Sequence, residues 1–124
     1  MKSMKKTLAI KKPWGRFLRF THNEKTTVKI LELKKGEETS LQRHRNRDEF
    51  WYAIDGGIEV FVKGKKHRLS KGDSIFIPKK ALHKLVGRKN GRILEISFGN
   101  FDENDIERIS DKYGRIKPKK KKRK

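Results

Sequence analysis

A chain of 124 residues has room for one ordinary domain, and with 40% charged residues, 32% hydrophobic ones and a net charge of +20 it is polar and strongly basic. It contains no cysteine, which excludes disulfides, thiolate metal ligands and a cysteine nucleophile. No apolar run approaches the roughly 20 residues of a membrane span, and Thr7-Leu8-Ala9-Ile10 is too short for a secretion signal, so a soluble, cytoplasmic protein is expected.

From Thr26 onward the apolar residues gather into short β-rich runs separated by turns, the spacing of an all-β sandwich or barrel. The predicted strands run from Thr26 to Leu33, Ser40 to His44, Glu49 to Ile54, Ile58 to Val62, His67 to Leu69, Ser74 to Ile77, His83 to Val86 and Arg92 to Phe98. Turn residues divide them at Lys35-Gly36, Asp55-Gly56-Gly57, Lys63-Gly64-Lys65, Lys71-Gly72-Asp73 and Lys89-Asn90-Gly91. A short helical turn is expected over Glu103 to Ile109, capped by Asp102. No internal repeat is visible.

The last eight residues, Lys117 to Lys124, include seven basic ones, so of the net +20 the rest of the chain carries +13. Such a run repels itself and buries no apolar surface, which predicts one domain over 1–116 followed by a disordered tail over 117–124. The tail has two readings: a solubilising segment, or a nucleic-acid-contacting arm that in a eukaryotic or viral setting would also serve as a nuclear localisation signal. No aromatic residue is interleaved in it for base stacking. A body at +13 attracts anionic partners generally, sugar phosphates and nucleic acids alike.

The chemistry gathers in two segments. Side chains alternate along a strand, so Gln42, His44 and Asn46 share one face, and Glu49, Trp51 and Ala53 share a face of the next strand. If both faces line one interior, His44 and Glu49 approach the same point. Gly72-Asp73-Ser74-Ile75-Phe76-Ile77-Pro78, followed by His83, supplies a second imidazole from a distant strand. Two imidazoles and a carboxylate suit one divalent ion of Zn, Mn, Co, Ni or Fe, with Gln42 or Asn46 as a further, weaker amide ligand. Trp51 fits either core packing or a sugar-stacking wall, Trp14 fits core packing, and His22 and His67 read as surface histidines.

These segments resemble the paired motifs of the cupin superfamily, whose fold is a double-stranded β-helix, or jelly-roll barrel. Glu49 and Gly56 match the first motif, although seven residues rather than five separate Gly36 from His44, and Asn46 stands where the motif has its second His. Gly72, Pro78 and His83 match the second, with Lys80 at its usual Gly and Gly87 at its closing Asn. Lys12-Pro13-Trp14-Gly15, Ser40-Leu41-Gln42, Glu49-x-Trp51, Ile77-Pro78 and Asp111-x-Tyr113-Gly114-Arg115 narrow the likeness further. Over residues 11 to about 116 the chain resembles the C-terminal isomerase domain of type II mannose-6-phosphate isomerases, often fused to a mannose-1-phosphate guanylyltransferase.

That resemblance implies a stand-alone, metal-dependent enzyme interconverting mannose 6-phosphate and fructose 6-phosphate, in the service of GDP-mannose synthesis. With His44, Glu49 and His83 committed to the metal, Lys12, Lys84 and Arg115 are the candidates for proton transfer. Lys12 and Arg115 are equally candidates for the phosphate anchor, with Trp51 beside the sugar. Two alternatives stand beside it: a non-catalytic cupin that binds a sugar or sugar phosphate, and a basic cupin associated with nucleic acid. A homodimer is expected, because a small barrel leaves sheet edges and apolar strands to be covered.

Overall fold

The computed structural model describes residues 7–116. The basic run Lys117 to Lys124, and with it the reading of a disordered arm, lies outside them. The described residues form strands β1 (Leu8–Lys12), β2 (Gly15–Arg19), β3 (Thr26–Leu33), β4 (Leu41–Arg43), β5 (Glu49–Ala53), β6 (Ile58–Val62), β7 (Lys65–Leu69), β8 (Ser74–Ile77), β9 (His83–Gly87), β10 (Gly91–Phe98) and β11 (Glu107–Ser110). Strands β1 and β2 pair as a separate hairpin, while the others make two antiparallel sheets, ordered β3-β10-β5-β8 and β11-β4-β9-β6-β7. Sequence neighbours β9 and β10 lie in different sheets, as do β5 and β6, which is the crossing pattern of a jelly roll.

The predicted strands from Thr26 onward all form, with ends moved by a residue or two. The helical expectation over Glu103 to Ile109 is not met: Glu107–Ser110 is strand β11, paired with β4. Asp102 does cap locally, its carboxylate accepting the Asn104 N–H at 2.9 Å. Only a turn follows it, because the free edge of β4 offers the next residues ladder hydrogen bonds that a lone helical turn lacks. The β1–β2 hairpin is an element that periodicity did not show, and Trp14 at its tip is 72% exposed rather than in the core.

Registry fixes what the barrel contains. Partners in antiparallel strands share a face, so Leu31 and Leu33, Ile93, Ala53 and Trp51 look inward from one sheet. They meet Ile58, Val60, Leu85 and Leu69 from the other, and together these form the hydrophobic core. Further along the same strands the inward positions turn polar: Glu95 and Ser97 follow Ile93 on β10, Glu49 precedes Trp51 on β5, and His83 precedes Leu85 on β9. The interior is therefore graded, with an apolar end that holds the sheets together and a polar end that is buried nonetheless.

Two departures from the cupin motifs acquire a structural reading. Gly87 sits where a Cβ would meet the Lys34 carbonyl oxygen at 2.7 Å, so only glycine fits that crossing. Lys80 occupies the motif's glycine position with φ of 72°, the left-handed region that costs a side-chain-bearing residue roughly 1–2 kcal/mol. Its N–H donates to the His44 carbonyl at 2.6 Å, tying the second motif to the first. Lys80→Gly relieves the strain while adding backbone freedom to the unfolded chain, worth roughly 0.5–1 kcal/mol in the other direction. The expected result is a gain of up to about 1 kcal/mol in urea unfolding. A destabilised variant would show that the Lys80 side chain contributes more than its backbone costs.

Candidate metal centre

At the polar end of the barrel, ligand atoms of His44, Glu49 and His83 lie within 4.8 Å of one another, and all three residues are buried. Glu49 leads β5, His83 leads β9, and His44 follows the last residue of β4, so three strands from two sheets converge on one point. The ring orientations are set by backbone carbonyls. His44 Nδ1 lies 2.7 Å from the Asp105 carbonyl oxygen, and His83 Nδ1 lies 2.9 Å from that of Ala81. A carbonyl accepts only from N–H, so in each neutral ring Nδ1 carries the hydrogen and Nε2 the lone pair. His83 Nε2 is buried with no hydrogen-bond partner. Burial also pulls the His83 pKa below its ordinary value, which keeps the ring neutral as metal ligation requires.

The Glu49 carboxylate accepts three side-chain hydrogen bonds. Its Oε1 accepts the Trp51 indole N–H at 2.9 Å, and its Oε2 accepts Arg47 Nε at 2.8 Å and the Ser97 hydroxyl at 3.4 Å. The second guanidinium edge of Arg47 faces His44 Nε2 at 3.4 Å, so a cation already sits against the ligand cluster. Glu95 completes the pair of buried carboxyls. Burial, the Glu49 charge and a hydrogen bond to Glu49 push Glu95 up to about 8. Burial acts to raise Glu49 as well, but the hydrogen bonds from Glu95 and Arg47 oppose it, and its pKa lies below the ordinary value. At neutral pH Glu95 is the proton donor and Glu49 the carboxylate.

A loop closes this end. The Asp102 carbonyl accepts Arg47 Nη1 at 3.2 Å, Phe101 lies between the Lys29 ammonium and the Arg47 guanidinium at 4.3 Å from each, and Asp105 accepts the backbone N–H groups of Arg45 and Asn46. Those last two bonds lower the Asp105 pKa against the opposing effect of burial.

Of the residues singled out from sequence, His44, Glu49 and His83 are brought together. Gln42 is the register partner of His83 and half-buried, whereas Asn46 is exposed, because β4 ends at Arg43 and the alternation that placed Asn46 beside His44 stops there. Trp51 is 2% exposed and spends its N–H on Glu49, so it belongs to the core and not to a sugar-stacking wall. Lys12 is exposed on the hairpin. Lys84 alternates with His83 to face outward, where it pairs with Glu38 at 3.5 Å. Arg115 is bound by Asp111 through Nε at 2.8 Å and Nη2 at 2.9 Å. Lys84 thus points away from the centre. Sequence reasoning passed over Arg47, Glu95 and Asp105, though Glu95 was visible as a lone acid inside the apolar run Ile93-Leu94-Glu95-Ile96.

The fold is that of a cupin. It matches the solved structure of KdgF from Halomonas sp. with a TM-score of 0.60 at 23% identity, covering 67% of this chain and 76% of that one. Salicylate 1,2-dioxygenase from Pseudoaminobacter salicylatoxidans matches with a TM-score of 0.57 at 19% identity, over 59% of this chain and 20% of that one. Within that class the chain belongs to the family described as Mannose-6-phosphate isomerase C-terminal, whose profile matches residues 1–111. Among curated relatives, the mannose-1-phosphate guanylyltransferase ManC of Salmonella typhimurium is 33% identical over 108 residues, 85% of this chain and 22% of its own length. A mannose-1-phosphate guanylyltransferase of Klebsiella pneumoniae is 38% identical over 86% of this chain and 23% of its own. The alginate biosynthesis protein AlgA of Pseudomonas aeruginosa is 34% identical over 84% and 22%.

These matches correct the functional expectation. The chain spans under a quarter of the relatives' length, and two of these three are named for guanylyl transfer to mannose 1-phosphate, with none named for isomerisation. Membership in the family therefore does not make the chain a stand-alone mannose-6-phosphate isomerase. Nor do the matches favour the non-catalytic sugar-binding cupin or the nucleic-acid-associated one. What stands is a cupin of an enzyme family tied to mannose metabolism. Among the described residues no helix is long and apolar enough to cross a membrane, and nothing bears on a nuclear location.

The Glu49–Glu95 pair has a measurable signature in metal-free protein. Glu95 holds its proton more tightly folded than unfolded, so between its ordinary 4.5 and about 8 the folded state binds the extra proton. This contribution is complete below pH 4.5, declines through the window and is gone above about 8. Glu95→Gln should flatten the fall in thermal midpoint between pH 5 and 8 in chelator-treated protein. An unchanged slope would place the proton elsewhere.

Proposed function

We propose that the chain is a divalent-metal-binding cupin module of mannose-nucleotide metabolism, holding one ion through His44, Glu49 and His83 and working with a mannose-1-phosphate guanylyltransferase. The observation that carries the metal reading is His83 Nε2, a buried lone pair without a partner, aimed into the same space as His44 and Glu49. Leaving such a group unsatisfied costs roughly 1–3 kcal/mol, and a cation removes that cost. The names of the relatives support the metabolic setting.

When bound, a divalent ion there supplies Lewis acidity to ligand oxygens. The chain's own residues do the rest. The Asp105 and Ala81 carbonyls fix both imidazole tautomers, Trp51 and Ser97 hold the Glu49 carboxylate in place, and Glu95 keeps a proton at the Glu49 oxygens. Phe101 and the Asp102 carbonyl hold Arg47 against the cluster, whose burial away from bulk water strengthens each of these interactions. Two imidazoles and one carboxylate suit Zn, Mn, Co, Ni or Fe.

Metal analysis of the purified chain should find close to one ion per chain, with His83→Ala and Glu49→Gln each weakening affinity at least about tenfold, since one of three strong ligands is lost. Cobalt-loaded protein provides a visible absorption band that reports the same loss. Wild-type retention in both variants would exclude this site. In the source organism, loss of the chain should lower the GDP-mannose pool. An unchanged pool would remove the metabolic setting while leaving the metal centre standing.

We also propose a homodimer. The outer face of the β3-β10-β5-β8 sheet is apolar, with Phe50 and Ile96 covered where Phe20 packs on Phe50 and Tyr52, yet Val28 and Ile30 on edge strand β3 remain 55% and 54% exposed. Exposed apolar residues on an unpaired edge are the features that a second copy covers. Light scattering should give twice 14.7 kDa, and Val28→Lys with Ile30→Lys should return the monomer mass. A monomeric wild type at micromolar concentration would refute this assembly.

A further inference from the structure

Beside the metal centre lies a cleft of about 530 Å³ whose walls include Ser40, Gln42, Arg108, Tyr113 and Arg115. Two of its donors are unsatisfied: the Ser40 hydroxyl, on a residue 1% exposed, and Arg108 Nε, which is buried, have no hydrogen-bond partner. The registry explains why they share one space. Arg108 on β11 pairs with Gln42 on β4, and Gln42 pairs with His83 on β9, so these three side chains share one face, while Ser40, just before β4, lines the same cleft.

Three acids line the walls, Glu32, Glu37 and Glu38, and none of them is paired with Arg108. Glu37 is taken by the Tyr113 hydroxyl at 2.5 Å and Lys112 at 2.9 Å, and Glu38 by Lys84 at 3.5 Å. Arg115 is bound to Asp111. Arginine only donates and a serine hydroxyl can donate, while the Gln42 amide adds two further N–H groups. A partner for such a set must be rich in acceptors and carry negative charge to match the guanidinium.

We propose that this cleft is a binding site for the oxyanion of a small ligand, a phosphoryl or carboxylate group held by Arg108, Ser40 and Gln42. The site is distinct from the metal ligands and stands on different residues.

The test titrates the full chain with inorganic phosphate and, separately, with acetate, following amide and Arg Nε–H signals by NMR at 150 mM NaCl to screen the other basic side chains. Saturable shifts at Ser40, Gln42 and Arg108 are expected, at least fivefold weaker in Arg108→Gln and about twofold weaker in Ser40→Ala. The serine change deletes only an unpartnered hydroxyl and keeps the test open should Arg108→Gln unfold. Tighter phosphate than acetate identifies a phosphoryl ligand, and the reverse a carboxylate. Metal content should be unaltered in both variants, so failure of the metal reading and failure of this one are separable. No saturable binding of either anion, or binding unchanged in a folded variant, overturns the proposal.

Discussion

The Glu49 carboxylate is the group on which the polar end of this barrel depends. It is 1% exposed, and a carboxylate taken out of water at such a depth is tolerated only with hydrogen bonds and opposite charge around it. The structure supplies both from the chain's immediate surroundings: Trp51 on the same strand, Arg47 from the preceding turn and Ser97 from the neighbouring strand. The consequences spread outward. Trp51 is a core residue whose indole must turn its N–H toward Glu49, so the packing of the largest buried side chain and the orientation of the candidate ligand are one constraint. Arg47 in turn is held by the Asp102 carbonyl and by Phe101, which recruits the segment before β11 into the site.

The graded interior follows from the same economy. Sheet-to-sheet packing of Ile58, Leu85, Leu69 and Ile93 supplies hydrophobic stabilisation at one end, so the other end can accommodate His44, Glu49, His83 and Glu95, groups that disfavour burial. Concentrating them creates two buried carboxyls that cannot both ionise without cost, and they divide the roles, one charged and one holding a proton. The turn that carries His44 is fixed less by its own conformation than by Asp105, which accepts two of its backbone N–H groups and, through its carbonyl, orients the His44 ring. An arrangement of this kind keeps side chains rigid without a regular element beneath them, and it explains why His44 functions as a ligand candidate although it lies past the end of β4.

By itself the sequence determined the all-β class, the strands from Thr26 onward and the trio of candidate ligands, because alternation and turn residues act locally and because His44, Glu49 and His83 are the residue types that metal chemistry needs. Tertiary structure alone decided the rest. It cut short the alternation that had put Asn46 beside His44, since the strand ends where Asp105 seizes the backbone, and it made a strand of Glu107–Ser110 because β4 had an open edge. It also brought Arg47, Glu95 and Asp105 into one site from positions up to 58 residues apart, turned Lys84 outward, and left Ser40 and Arg108 facing the same cleft. None of these is written in local periodicity: each depends on which strand finds which neighbour, and in a barrel of long-range pairings that choice is made only when the two sheets close.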